Sequence, residues 1–374
     1  MVKKRWMSMM AIVLGLGGLG AAPALSHIPT APPLWALAQV GGGKSSGAPT
    51  ASSLYRSTDG GVDWSPLTST FTGFSMPTML TATDGFLSGV QTNGDPYYES
   101  TGDGGVSWSR TKTKDLATLG FLNASQGWRS MTNMPIQGKV QWRLLTTNNG
   151  GRTWTPVLTR FLPEVSVTSA PFFISPTVGW ILDIIGPQWN VFRTTNGGHS
   201  FTRLTAQTLG GAGESPVGIT FTTKSRGWTL VESIGAGGAG LNALLTTNDG
   251  GVHWTTDTGL PKVPTVEHFD FLNATEGFVL TPMKTVSTRE GFTPYGTDLY
   301  VTTNGGKTWS LRYQSPGQTL RNIVFVNANL AYATSLHSLL ESTNGGRAWR
   351  VVYRNAGITF QALESTNRIS RLSQ

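Results

Sequence analysis

The apolar residues of the chain fall in short runs separated by polar turns, and the order of the runs repeats. An apolar segment leads into a polar turn, then a Gly followed by an aromatic residue, then a second apolar segment. The pattern reads GFLNASQGWRS at Gly120–Ser130, FFISPTVGWIL at Phe172–Leu182, ITFTTKSRGWTL at Ile219–Leu230 and FDFLNATEGFVL at Phe269–Leu280, with a looser copy, IVFVNANLAYAT, at Ile323–Thr334. Runs this short, bounded by turn residues, are strands rather than helices.

A further strand follows each pair and ends in an octet of the form [Ser/Thr]-x-[Asp/Asn]-x-Gly-x-x-[Trp/Phe]. Seven octets occur: Ser57–Trp64, Thr101–Trp108, Thr147–Trp154, Thr194–Phe201, Thr247–Trp254, Thr302–Trp309 and Ser342–Trp349. Measured at the second Gly they lie 44, 46, 47, 53, 55 and 40 residues apart, the period of a four-stranded propeller blade. The sequence therefore predicts an all-β, seven-bladed β-propeller of four-stranded antiparallel blades. Only two strands, Leu34–Val40 and Ser53–Ser57, precede the first octet, and Gly357-Ile-Thr-Phe360 repeats Gly218-Ile-Thr-Phe221 after the last. The C-terminal strand is thus predicted to join the N-terminal blade and close the ring, which removes exposed sheet edges.

Asp-Gly or Asn-Gly between strands is a hairpin signal, because Gly tolerates positive φ and the side chain can accept turn amides. The acceptor position holds Asp59, Asp103 and Asp249 in three octets and Asn149, Asn196, Asn304 and Asn344 in four. A calcium site or a catalytic carboxylate depends on charge and would not tolerate exchange for an amide; a turn cap does. The seven residues are read as structural, and no metal or cofactor is expected. The octet resembles the Asp-box, or BNR repeat, of sialidases, sortilin-like receptors and other propellers. Asn123-Ala-Ser125 and Asn273-Ala-Thr275 match glycosylation sequons but lie in equivalent turns, where turn chemistry explains them first. Ala38–Ser45 fits a loose phosphate-loop pattern, yet SGAPTASS follows it where a helix is needed.

Composition agrees with strands and tight turns: charged residues are 13% and apolar residues 38%, with 47 Gly and 13 Trp. Without cysteine, disulfides and thiol chemistry are excluded. The start of the chain has a basic cluster, Lys3, Lys4 and Arg5, an apolar run Met9–Ala22 and small-residue cleavage signals around Ala24–Ser26. This is the layout of a secretory signal peptide, so residues 1–26 are expected to be a leader and 27–374 a single propeller, secreted or extracytoplasmic. Loss of those three basic residues takes the formal charge from +8 to +5, which is no nucleic-acid signature.

Seven octets, a secretion signal and the repeated "FLN…GW…L" strand pair resemble the photosystem II stability/assembly factor family, from about Leu34 to the C-terminus. The resemblance implies a single seven-bladed propeller outside the cytoplasm that binds a membrane-protein client and does no chemistry. The lipoprotein Cys usual in cyanobacterial members is missing. No Arg-Ile-Pro motif precedes the first octet, no nucleophile elbow or zinc-protease helix occurs, and the acids outside the octets (Asp183, Glu164, Glu232, Glu267 and Glu290 among them) have no motif context. The sequence reading is accordingly a monomeric protein-binding scaffold, for a membrane or envelope partner, that is not an enzyme. The alternative is a carbohydrate-binding or sialidase-like glycoside hydrolase propeller.

Octets and first turns share one face of such a ring, so irregular sequence collects on the other. Tyr97, Tyr98, Trp142, Trp189, Lys284, Arg289, Phe292 and Tyr295 lie in or beside the loops between second and third strands. They are candidate partner-binding residues, since aromatics with cations are common at binding surfaces. The bland reading for Trp142 and Trp189 is packing between blades. The long segment Thr281–Asp298 is the foremost candidate loop.

Overall fold

The computed structural model describes residues 32–40, 51–72, 77–90, 96–112, 116–132, 139–163, 166–168, 171–185, 188–204, 214–233, 241–257, 259–261, 263, 266–283, 285–288, 291–294, 296–316 and 318–365. The expected leader (residues 1–26), Lys44, Lys284, Arg289 and Tyr295 lie outside the described residues. Seven antiparallel sheets of four or five strands form the blades of a β-propeller, with no helix among the described residues. The third blade is representative: Leu116–Phe121, Gly127–Thr132, Lys139–Thr147 and Thr155–Pro163 pair in chain order. The first blade is composite. Its first strand is Ile358–Ser365, which pairs antiparallel with Leu34–Val40, and Ala51–Ser57 and Ser65–Thr72 complete the sheet. The predicted closure is the observed one. The sixth blade carries an insertion, a two-stranded hairpin of Thr285–Thr288 and Gly291–Pro294, within the long segment singled out from the sequence.

Each octet turns on two glycines of positive φ, between 66° and 98° in all seven copies, a backbone that a Cβ disfavours. In the fifth copy the Asp249 carboxylate accepts the Val252 and His253 amides at 3.0 and 2.9 Å and the Thr247 hydroxyl at 2.9 Å. The Thr247 oxygen in turn accepts the Gly251 amide at 3.0 Å. The Trp254 indole donates to the Gly251 carbonyl at 3.1 Å, so the ring folds under its own turn. In six blades the first glycine's amide also donates to the turn between the first two strands, as from Gly150 to Ser125 at 2.8 Å. Both regular motifs are thereby fastened together on one face. Asn123 and Asn273 cap those turns, each accepting two backbone amides at 2.9–3.0 Å.

The core lies between blades. In the third, fourth and fifth blades the aromatic that follows the second strand's glycine lies flat on an aromatic at the end of the next blade's first strand. Trp128 meets Phe173 at 3.6 Å, Trp180 meets Phe221 at 3.8 Å and Trp228 meets Phe271 at 3.5 Å. Stacking alone leaves an indole N–H unsatisfied. Trp35 and Trp180 resolve this by donating to the first-glycine carbonyls of the following octets, Gly104 and Gly250, both at 2.9 Å.

Candidate functional site

The first strands line the centre of the ring, and on the irregular face their starts converge. Between the sixth and seventh blades this leaves a cavity of about 280 Å³ bordered by Glu267, His268, Leu280, Thr319, Arg321 and Asn322. The neighbouring strands fix it. Glu267 is held where its amide donates to the Leu280 carbonyl at 2.9 Å, and the His268 ring lies against Phe278 at 5.7 Å. The segment before Arg321 is pinned by the buried Thr297 hydroxyl, which accepts the Leu320 amide at 2.9 Å.

Asn322 is the one non-glycine residue with positive φ among those described, at 36°. It sits in a bulge of the seventh blade's first strand, and Asn is among the residues that tolerate this region. Its side-chain amide donates to the Gln361 carbonyl of the closing strand at 2.8 Å. The Gln361 side chain reaches Gln39 of the adjoining strand at 3.4 Å. The cavity is therefore built on the closure of the ring.

Its chemistry is mixed. Burial pushes the Glu267 carboxyl above the ordinary glutamate range, and the nearby Arg321 guanidinium opposes the shift. A carboxyl, an exposed guanidinium, an imidazole and a hydroxyl thus border one space beside apolar Leu280. No group of three or more His, Asp or Glu side chains placed to hold a metal occurs among the described residues.

The sequence-chosen residues are dispersed. Tyr97 is buried beneath Arg110, whose guanidinium lies 4.2 Å from the ring centre and pairs with Glu99 at 2.5 Å. Tyr98 is half-buried under Arg129 at 5.3 Å. Trp189 is buried against Trp254, as the bland reading has it, and Trp142 lines a separate cavity between the third and fourth blades. Phe292 lies in the inserted hairpin. Sequence reasoning noted Glu267 only as an acid without context and missed Arg321 and Asn322. These residues occupy irregular strand starts in two blades, where no repeat marks them.

The model of the BNR/Asp-box repeat matches residues 300–311, the sixth octet and its flanks. Comparison with curated protein sequences gives no match. Among solved structures, the GH74 xyloglucanase from Xanthomonas campestris is similar with a TM-score of 0.56 at 12% identity, over 86% of this chain and 56% of that one. Prolyl endopeptidases superpose with a TM-score of 0.51 at 11% identity, over 87% of this chain and 50% of theirs. A Mycobacterium tuberculosis puromycin-hydrolysing peptidase follows with a TM-score of 0.50 at 10% identity, over 86% and 52%. The chain thus spans about half the length of these proteins, and at such identity the likeness is one of fold.

It corrects one expectation. The lack of motif context around its acids argues against an enzyme, yet the similar propellers are enzymes. A ring assembles its sites from strand starts and loops of different blades, so a missing linear motif does not exclude catalysis. What is established is the architecture and its repeat: the chain is a seven-bladed β-propeller built on BNR/Asp-box turns.

Proposed function

We propose that the chain is a carbohydrate-binding propeller of the glycoside hydrolase type, with its sugar site in the cavity bordered by Glu267 and Arg321. The observation that carries this reading is the cavity's composition. Saccharides need several donors and acceptors around an apolar wall, and here a carboxyl, a guanidinium, an imidazole and a hydroxyl surround one volume beside Leu280. Similar folds in a xyloglucanase and other enzymes are compatible with it. Hydrolysis by two carboxyl groups needs a second acid about 5–10 Å from the first. Among the described residues Glu267 is the only acid bordering the cavity, so binding is the part the geometry supports most directly.

The test is titration with a saccharide panel, with release of reducing ends from polysaccharides measured in parallel. Arg321→Met is expected to weaken binding about tenfold, the cost of a charged hydrogen bond. If the protonated Glu267 carboxyl donates a hydrogen bond to the sugar, wild-type affinity falls as pH rises through its raised pKa, while Glu267→Gln lacks that step. Absence of saccharide binding in the wild type would overturn the proposal.

A protein client is the second reading, and the inserted hairpin favours it, since a two-stranded edge can pair with an extended partner. Capture of an envelope protein that is lost when residues 285–294 are replaced by a short turn would favour that reading. Both readings carry the proposal that the chain is exported by its N-terminal leader.

A further inference from the structure

The fourth octet ends in Phe201, where the other six end in Trp. Across the boundary between the third and fourth blades, Phe201 meets Trp142 edge-on with ring centres 6.3 Å apart. The next boundary repeats the arrangement with a larger ring. Trp189, like Trp142, stands five residues before its octet, and it meets the indole of Trp254 at 6.0 Å. Where the phenyl replaces the indole, a cavity of about 120 Å³ is present.

The inner end of this cavity is formed by buried Trp142, Ile181 and Asp183. Its sides are half-buried Leu158, Phe192 and Phe201, and exposed Arg160 stands at the mouth. Two polar groups occupy the inner end. The Trp142 indole N–H has no acceptor among the described residues. Asp183 lies four residues after its strand's glycine, where the third, fifth and sixth blades place Met131, Val231 and Thr281. A carboxylate has about four lone-pair positions, so one existing partner does not use up its acceptor capacity.

We propose that this cavity is a binding site for a phenolic ring, entering hydroxyl first. A phenol hydroxyl both accepts and donates, so it can accept a hydrogen bond from the Trp142 N–H and donate one to the Asp183 carboxylate. The flat ring suits the walls of Leu158, Ile181, Phe192 and Phe201; at about 120 Å³ the cavity is smaller than the roughly 150 Å³ that encloses benzene, so the far edge of the ring lies at the open end beside Arg160. A saccharide does not fit this chemistry, because those walls would leave its ring hydroxyls unbonded. An anionic substituent opposite the hydroxyl would reach Arg160. The site is distinct from the sugar cavity, and its test is independent of it.

Titration calorimetry of the full chain with p-cresol, toluene and 4-hydroxyphenylacetate tests the proposal. Binding of p-cresol is expected to exceed that of toluene about fivefold to tenfold, the effect of one or two hydrogen bonds, with 4-hydroxyphenylacetate tighter again. Trp142→Phe should reduce the preference for p-cresol over toluene. Phe201→Trp should fill the space and abolish binding of all three; if that variant does not fold, Ile181→Phe serves as the filler. No saturable binding of p-cresol, equal binding of toluene, or binding that survives a folded filler variant would overturn the assignment.

Discussion

Asp103 accepts the Ser107 hydroxyl at 2.6 Å and the Ser107 amide at 2.9 Å, and these bonds bring its carboxyl down to about 2. Burial acts against ionisation of Asp249, but the His253 amide and imidazole outweigh it, and that carboxyl also lies at about 2. Both groups titrate lower in the folded state than in the unfolded chain. Their stabilising effect is therefore complete above about pH 4 and fades as pH falls toward about 2. Three of the four asparagine copies make the same turn without the titration, because the side-chain amide turns the last bond round. Asn149 donates to Thr153 at 2.8 Å, Asn196 to Ser200 at 2.9 Å and Asn304 to Thr308 at 2.8 Å. Replacing Asp103 and Asp249 together by Asn should thus leave the neutral melting temperature nearly unchanged and flatten its decline in acid, as melts from about pH 6 to about pH 2 would reveal. The structural role of these positions was legible in the free exchange of Asp for Asn. The reversible donor four residues on was not, because Ser107, Thr153, Ser200 and Thr308 look like ordinary turn residues in the sequence. Backbone demands here are as strict: Gly251, at φ 98° with Leu204 and Val191 at 3.3 Å from a would-be Cβ, should lose about 1–2 kcal/mol on change to Ala, read from urea unfolding.

Within each blade the second strand is the element that joins neighbours. Trp180 stacks on Phe221 and donates to the Gly250 carbonyl, whereas at the next boundary Arg226 donates to the equivalent Gly305 carbonyl. Trp228 then stacks on Phe271 with its indole N–H lacking an acceptor among the described residues. The two tryptophans look alike in the sequence, both following a glycine in a strand. They should nevertheless respond differently to Phe. Trp180→Phe removes a hydrogen bond as well as volume, and it should cost about 1 kcal/mol more than Trp228→Phe, which removes an unsatisfied donor. Equal losses in denaturant titrations would mean that stacking alone carries the joint. The repeated Gly-aromatic pair announced the strand, but its partner across the boundary lies about one and a half repeats away, at a separation of 70 residues for Trp180 and Gly250. No local pattern could indicate that contact. The same holds for Trp142 and Trp189, candidates beside the irregular loops that prove to hold matching places in adjacent blades.

At the scale of the ring, the closing strand contributes Ile358, Phe360 and Leu363 to one cluster with Leu34, Ala36 and Tyr332. Ending the chain near Asn355 would remove these side chains and leave Leu34–Val40 as an open edge. A loss of about 5 kcal/mol or more follows from three buried apolar side chains, so the shortened chain should melt far below the full one and aggregate; unchanged melting would contradict closure as the main latch. The blade count and the latch were readable because both rest on repeats counted along the chain. The central cavity was not, since Glu267, Arg321 and Asn322 meet only once the sixth and seventh blades stand side by side. The latch also sets an order in time. Gln39 and Gln361, 322 residues apart, meet across it, so a ribosome must make the other six blades before the first blade can receive its last strand. Until then the earliest strands wait with an apolar face uncovered, and the growing chain is an arc rather than a ring. Closure is therefore the last pairing the ring can make, and its long-range contacts make it the slow one.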